Sequence, residues 1–245
     1  MERKYLSAVA LKREPEEEYL RQLPAVRWLA KGGQLRFSSD VAFLVGENGT
    51  GKSTLLEAVA VACGFNPEGG SKNFSFSTRE THSSLHRCIS VVRQSFPRDG
   101  YFLRAESFYN VASNLDDLDG YPALSPKLLN SYGGVSLHKQ SHGESFMALV
   151  EHRFGGRGLY LLDEPEAALS PRKQLELLAW IDLLVQRDSQ FLIATHSPML
   201  MAFPGAQVFQ LSELGIEEVP YQETDHFQLM RAFLNCPDRL LHLLR

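Results

Sequence analysis

Two adjacent acids follow an apolar run near the middle of the chain. The stretch "GLYLLDEPEAALSP" places Asp163 and Glu164 at the carboxyl end of a predicted strand. Like charges this close repel each other, and a bound cation would neutralise one of them. One carboxylate would then hold a metal ion while the other orients and activates a water molecule. The alternative is an acidic helix start before Pro171, because acids are common in first helical turns.

A glycine-rich loop earlier in the chain has the pattern of a phosphate-binding site. The stretch "GENGTGKS" matches G-x-x-x-x-G-K-[ST] in full, between an apolar strand at 41–45 and a helix from about Lys52. The glycines let backbone N–H groups approach phosphate, and the helix N-terminus attracts negative charge. Lys52 is expected to reach the β- and γ-phosphates, and Ser53 to ligate magnesium. The predicted nucleotide contacts in this loop are Gly46, Glu47, Asn48, Gly49, Thr50, Gly51, Lys52, Ser53 and Thr54.

Both motifs need an element that brings them together, and the alternation of strands with helices predicts an α/β fold with a mostly parallel sheet. Ligands gather at the carboxyl ends of parallel strands, so we expect Asp163 beside the phosphate loop as a metal ligand. Glu164 would activate the attacking water. "LHRCISVVRQSFPRDGYFLRAES" predicts a hairpin with "PRDG" as its turn, and "QVFQLSE" with "IEEVPY" predicts a late strand pair.

Two shorter motifs lie on either side of the acidic pair. "QSHGESF" precedes a predicted helix and offers donors at its N-terminus, and "IATHSP" places His196 at the end of a strand. A lone histidine is usually structural, and "SHGES" alone would be a loop. Their order relative to the phosphate loop and the acids favours a shared function instead.

The bulk composition limits the class of protein. The chain has 245 residues, a net charge of −4 and 44% hydrophobic residues, which suits one α/β domain over 1–245. The three cysteines are far apart, so a disulfide framework is not expected and a reducing compartment fits best. No apolar run is long enough to span a membrane, and the N-terminus has no signal-peptide core. We therefore expect a soluble, cytoplasmic protein.

Taken together, these motifs resemble the nucleotide-binding domain of the ATP-binding cassette (ABC) superfamily. Within it, the chain is similar to soluble, non-transporter ATPases related to chromosome-maintenance and DNA-repair ATPases, and to compact stand-alone predicted ATPases. The resemblance implies a P-loop NTPase fold with an N-terminal β-rich part and a small helical lobe at roughly 107–150. It also implies that Ser141, Gly143 and Glu144 form the family signature, that "ALSP" is the D-loop, and that His196 senses the γ-phosphate.

The same resemblance implies a magnesium-dependent ATPase acting as a homodimer, with ATP between the subunits. Each ATP would lie on one phosphate loop and be capped by the partner's Ser141, with Glu164 and His196 catalytic. A residue after the strand that leads into the lobe would approach magnesium. Glu106 is preferred for that role on position, and Gln94 is the alternative. Three upstream aromatic residues are expected in the core, and none is assigned to adenine: Tyr19, Trp28 and Phe37.

The process served by the ATPase stays open at this point. A nucleic-acid, defence or regulatory process is preferred, with a partner protein or nucleic acid. Five arginines near the predicted hairpin form either a solvated face or a phosphate-binding patch: Arg79, Arg87, Arg93, Arg98 and Arg104. The alternatives are the ATP-binding subunit of a membrane ABC transporter, and an ATP-gated interaction module or toxin–defence component.

Overall fold

The protein is an α/β fold in a computed structural model that describes residues 4–71, 83–104, 142–238 and 242. The strands are β1 (Ala8–Leu11), β2 (Gln34–Arg36), β3 (Val41–Gly46), β4 (Gly70–Ser71), β5 (Ile89–Val92), β6 (Asp99–Arg104), β7 (Gly158–Asp163), β8 (Gln190–Ala194), β9 (Gln207–Ser212) and β10 (Gly215–Glu218). The α-helices are α1 (Glu18–Gln22), α2 (Pro24–Ala30), α3 (Lys52–Ala62), α4 (His142–Arg153), α5 (Pro171–Val185), α6 (Pro198–Met201) and α7 (Asp225–Asn235). None of these helices combines the length and apolar character needed to cross a bilayer.

A seven-stranded sheet forms the centre of the molecule. Its strand order is β10-β9-β3-β8-β7-β6-β4, and the five strands from β9 to β6 run parallel. Every residue of β3, β7 and β8 is buried, which explains why these strands are unbroken apolar runs rather than alternating ones. The predicted mostly parallel sheet is confirmed.

Each face of this sheet is covered by its own hydrophobic layer. Successive residues of a strand point to opposite faces, so Phe43 joins one layer and Leu44 the other. Helices α2 and α3 cover the Leu44 face, and α4, α5 and α6 cover the Phe43 face. The two layers hold the central strands rigidly, and their carboxyl ends become a fixed platform.

A second, three-stranded antiparallel sheet has the order β2-β1-β5 and supplies the expected N-terminal β-rich part. It also overturns the predicted hairpin at "PRDG". Strand β5 pairs with β1, whereas β6 pairs with β7 and β4 in the central sheet. Local turn residues suggested the hairpin, but β6 is almost entirely buried and gains more from a central position in the large sheet. The segment around Arg98 therefore passes from one sheet to the other.

The end of the described chain follows the sequence closely. Strands β9 and β10 form an antiparallel hairpin with Gly215 opposite Ser212, so the predicted late pair is confirmed. Helix α7 follows, and the Thr224 hydroxyl caps it by accepting from the Phe227 N–H. No side chain of α7 is fully buried. The helix therefore attaches to the protein mainly through its first turn.

Candidate active site

The phosphate loop begins at Gly46, the last residue of β3, where the neighbouring strand β9 has no room for a side chain. Gly46 has a φ of 140°, and a Cβ there would lie 2.2 Å from the Leu211 carbonyl oxygen of β9. Gly49 and Gly51 have φ values of 84° and 98°, in the left-handed region that favours glycine. Thr50 closes the loop, with its hydroxyl donating to the Glu47 carbonyl at 2.8 Å. The loop thus has the backbone that its sequence predicts.

Lys52 lies buried at the start of α3, inside the curve of the loop. Its ammonium donates to the carbonyl oxygens of Gly46 at 2.7 Å and Glu47 at 3.0 Å. Burial lowers the pKa of Lys52, and the nearby carboxylates of Glu164 and Asp163 oppose that shift. The two acids of the opening motif therefore do lie at the phosphate loop.

Asp163 ends β7 at the same edge of the sheet, buried at 7% exposure. Arg104 stands opposite it in the parallel register, with Nε 3.6 Å from Oδ2 of Asp163. The same guanidinium donates to Oε2 of Glu57 on α3 at 2.6 Å. Ser53 is the second residue of α3, so its hydroxyl and the Asp163 carboxylate both lie at this edge of the sheet. Such oxygen ligands suit magnesium, which commonly takes one or two protein ligands and completes its shell with phosphates and water.

Glu164 turns the chain sharply after β7. Its φ is 49°, a left-handed value that is uncommon for a side chain with a Cβ and typical of functional turns. Its N–H donates to the Ala194 carbonyl at the end of β8 at 2.9 Å. Its carboxylate lies 3.4 Å from Nε2 of His196. Glu164 and His196 are therefore brought together by two adjacent strand ends.

His196 has a second and a third neighbour that sequence reasoning missed. Its backbone N–H donates to a carboxylate oxygen of Glu166, and its Nδ1 lies 3.0 Å from Nε2 of His226. Glu166 belongs to the "DEPE" motif, and only its spacing from Glu164 could have drawn attention to it. His226 lies in the first turn of α7, beyond the β9–β10 hairpin, and no local pattern in "TDHF" indicates that contact.

The stretch that resembles a D-loop is tied to the histidine through α5. Ser170 caps α5 by accepting from the Lys173 N–H at 3.4 Å. Gln174 donates to the Leu169 carbonyl at 3.1 Å and accepts from the Ser197 hydroxyl at 2.6 Å. Since Ser197 follows His196 directly, this network fixes the acidic turn and the histidine turn against each other.

The signature stretch begins a helix rather than preceding one. Helix α4 starts at His142, so Gly143 and Glu144 lie in its first turn, while Ser141 is outside the described residues. Glu144 is exposed. Gly143 packs closely on the D-loop stretch, because a Cβ there would lie 3.1 Å from the Ala168 carbonyl oxygen. The structure thus places Gly143 directly beside Ala168.

The alternative metal ligand, Gln94, lies at the other edge of the sheet. The Lys4 N–H donates to Oε1 of Gln94, and the Gln94 N–H donates to the Lys4 carbonyl. The Lys4 ammonium forms an ion pair with Asp40. Asp40 directly precedes β3, whose six residues span about 17–20 Å to the phosphate loop. The Gln94 alternative is wrong because β5 belongs to the small sheet. Glu106, which follows β6 at the carboxyl edge, is outside the described residues.

The arginines do not form one patch. Arg98 directly precedes β6 and Arg104 ends it, so the length of the strand separates the two. Arg93 donates to the Ala62 carbonyl at 2.6 Å and Arg104 is bound to Glu57, while Arg87 is exposed. Arg79 is outside the described residues. The described arginines therefore give no continuous phosphate-binding surface.

Two of the three upstream aromatic residues are core residues as predicted. Phe37 is buried edge-to-face against Phe209. Trp28 packs against the hydrophobic layer on the Leu44 face of the sheet. Tyr19 is 56% exposed, so the expectation that it is a core residue is wrong. Its helix α1 is only five residues long and buries Leu20 instead.

Comparisons with known proteins give the class. Two family models match: "AAA domain" over residues 22–107 and "AAA domain, putative AbiEii toxin, Type IV TA system" over residues 130–202. A macrolide export ATP-binding/permease protein of Hahella chejuensis is 26% identical over 193 residues, which is 68% of this chain and 27% of that protein. The chain thus spans about a quarter of the length of this relative.

Among solved structures, the chain is similar to an SMC head domain and to a component of a transporter complex. The SMC head domain from Thermotoga maritima has a TM-score of 0.44 and 14% identity, with 88% of this chain and 98% of that chain covered. CbiO1 from Clostridium perfringens, part of an ABC transporter complex, has a TM-score of 0.48 and 16% identity, with 98% and 99% covered.

The phosphate loop on a parallel sheet and the family matches define a P-loop ATPase domain. The ATPase class recognised from the sequence is confirmed at the level of the AAA domain that both family models describe. This class uses ATP and generally hydrolyses it.

Proposed function

We propose that this chain is an ABC-type ATPase that hydrolyses ATP between two copies of itself. The observation that carries the proposal is the meeting of Glu164 and His196, 3.4 Å apart, at the edge where Lys52 begins α3. A base, a histidine and a phosphate-binding lysine converge there on three neighbouring strands. A purely structural cluster would not need four acids around one buried lysine.

The residues have separate roles in this proposal. Gly46 to Thr54 bind the phosphates through backbone N–H groups and through Lys52, which releases the loop carbonyls to reach the β- and γ-phosphates. Glu164 orients and deprotonates water for in-line attack, and His196 contacts the γ-phosphate. Ser53 and Asp163, with Glu106 as a further candidate, would hold Mg²⁺, which supplies neutralisation of the charge that develops on the phosphates.

The proposed second copy completes the site. Ser141, Gly143 and Glu144 are not needed on their own phosphate loop, and they would instead cap the ATP held by the partner. The close approach of Gly143 to Ala168 supports this arrangement, because it brings one residue of the signature next to the D-loop stretch. ATP would close the dimer and phosphate release would open it, which makes closure the output of the ATPase.

The test of this function is the substitution Glu164→Gln, which keeps the shape of the side chain and removes the base. We expect ATP hydrolysis to fall at least about 100-fold, as is usual for loss of a general base. We also expect an ATP-bound dimer by size-exclusion chromatography with multi-angle light scattering. Glu176→Gln, on the outer side of α5, is the matched control and should behave as the wild type. A Glu164→Gln protein that stays monomeric with ATP and magnesium would contradict the shared site.

Two processes have a specific observation behind them. The match of residues 130–202 to a family described as a toxin component favours a defence or regulatory process. The transporter-subunit alternative is supported by the exporter relative. Pull-down with the Glu164→Gln variant in ATP would separate them, since a polytopic membrane protein would be retained only in the second case. Retention of nucleic acid at low salt would support the remaining partner class.

A further inference from the structure

The imidazole of His196 has a definite neighbour at each ring nitrogen. Nε2 faces the Glu164 carboxylate at 3.4 Å, and Nδ1 faces Nε2 of His226 at 3.0 Å. The two rings are tilted by 61°, with centroids 5.1 Å apart, so their nitrogens meet edge-on rather than by stacking. His196 is therefore held from two sides.

The hydrogen-bond partners of the two histidines determine which ring nitrogen of each carries its proton. A carboxylate only accepts, so the proton of a neutral His196 belongs on Nε2, and a lone pair directed at Glu164 would be repelled. Nδ1 of His196 must then accept a hydrogen bond, and His226 must donate it from its own Nε2. This leaves Nδ1 of His226 unprotonated. That atom is buried and has no hydrogen-bond partner among the described residues, so a proton there would be an unsatisfied buried donor.

The surroundings of His226 keep its ring neutral. Burial lowers the pKa of His226, and His196 lowers it further. Lys52 acts in the same direction, while the carboxylates of Glu47 and Asp225 oppose it. At neutral pH the ring is thus a neutral donor and not a cation.

We propose that His226 is a positioning residue that holds His196 in the tautomer with its proton on Nε2, directed at Glu164 and the nucleotide. The inference rests on the proposed function, in which Nε2 of His196 contacts the γ-phosphate. Which ring nitrogen of a histidine carries the proton is set by the hydrogen bond at the other nitrogen. Helix α7, through its first turn, thereby controls the proton of a catalytic histidine.

The experiment uses the full chain, labelled with ¹⁵N-histidine. Long-range ¹H–¹⁵N spectra at neutral pH report the tautomer of His196 without nucleotide. We expect Nε2–H in the wild type and in His226→Gln, whose amide donates from near the position of Nε2. His226→Phe fills the space without a donor, and His226→Asn places its amide near Nδ1 instead. Both should give mixed tautomers or the Nδ1–H form, and His226→Asn keeps the test available if His226→Phe does not fold.

Kinetics give the second readout. The Phe and Asn variants should lose about tenfold in kcat, the lower end for the loss of an outer-shell partner, with KM for ATP within about twofold. His226→Gln should retain most of the wild-type kcat. His152→Phe, on the exposed end of α4, is the control and should change neither readout.

The outcomes separate the two proposals. An unchanged His196 tautomer in the Phe and Asn variants would overturn the role of His226, whatever the ATPase rate. A tautomer change in a protein whose wild type does not hydrolyse ATP would support the role of His226 and reject the proposed function. Equal kcat in the Gln and Phe variants would also overturn the inference.

Discussion

The two edges of the parallel sheet hold their charged groups in opposite ways. At the amino edge, Asp99 accepts from the Gly155 N–H at 2.9 Å, the Tyr160 hydroxyl at 2.8 Å and Arg153 at 2.9 Å. At the same edge, Lys4 pairs with Asp40, which directly precedes β3. The charges there are balanced within the chain and connect the starts of neighbouring strands.

At the carboxyl edge the acids outnumber their partners. The carboxylates around Lys52 come from Glu164, Asp163, Glu47 and Glu166. Arg104 offsets part of this charge, but it is shared between Glu57 and Asp163. A balanced cluster of charges stabilises the fold. An excess of negative charge on a rigid platform is instead suited to a ligand that brings positive charge, such as the proposed magnesium ion. The comparison predicts that substitutions at the two edges affect different properties.

The largest expected effect is on activity, from Lys52→Ala at the carboxyl edge. Loss of a preorganised donor to the transferring phosphate should lower ATP hydrolysis by about 100- to 1000-fold. The free energy of unfolding should change little, because removal of a buried ammonium also removes its desolvation cost. Phosphate release and thermal unfolding, measured on the same sample, check both statements. A wild-type rate in this variant would reject the phosphate-loop assignment.

Gly46→Ala should be the largest effect on stability, although Gly46 lies in the binding motif. Its Cβ would meet a backbone oxygen of β9 rather than a flexible side chain. Overpacking of this kind costs about 1–3 kcal/mol, to which the unusual φ adds strain. Gly49→Ala is the matched control, since a Cβ there meets nothing within 4 Å and only the left-handed φ, about 1–2 kcal/mol, applies. Denaturant unfolding without nucleotide compares the two, and equal losses would contradict the packing argument.

Asp99→Asn should lower stability by about 2–3 kcal/mol at the amino edge, because it weakens charge-assisted hydrogen bonds to a largely buried group. ATP hydrolysis per folded molecule should be unchanged, which distinguishes this edge from the other. Arg157→Gln is the control at the same edge. Its pair with Asp188 is exposed, so its loss should change stability by about 0.5 kcal/mol or less.

The Asp99 cluster also has a predictable pH dependence. Burial alone would raise the pKa of Asp99, but the hydrogen bonds from Gly155, Tyr160 and Arg153 outweigh burial and lower it. A lowered folded-state pKa means that the stabilisation is fully present above the unfolded value of about 3.9 and is lost as the pH falls through the folded value. The stability difference between wild type and Asp99→Asn should therefore shrink below about pH 4. A constant difference down to pH 2 would contradict this cause.

What the sequence could predict at these edges depends on how local each feature is. The phosphate loop, the acids Asp163 and Glu164, and His196 each end or follow a buried strand, so parallel pairing alone brings them together. The hairpin and Gln94 were wrong because they require knowing which strand β5 pairs with, and that choice is made by packing against β1 far away in sequence. His226 was missed for the same reason.

Arg104 illustrates a different limit. Its charge was visible in the sequence, but its meaning came from the register of β6 against β7, which places it opposite Asp163. A shift of that register by one residue would turn the guanidinium to the other face. Residue type therefore predicted the chemistry available, and only the sheet decided which groups share a site.

Gly46 has one more consequence, for how relatives of this protein should be interpreted. The neighbouring strand β9 excludes a side chain at this position whether or not a phosphate ever binds. A descendant that had lost ATP hydrolysis would be free to change Lys52 or Glu164 long before it could change Gly46. Gly46 in a relative would therefore indicate a shared fold, whereas Lys52 and Glu164 would indicate that the relative still hydrolyses ATP.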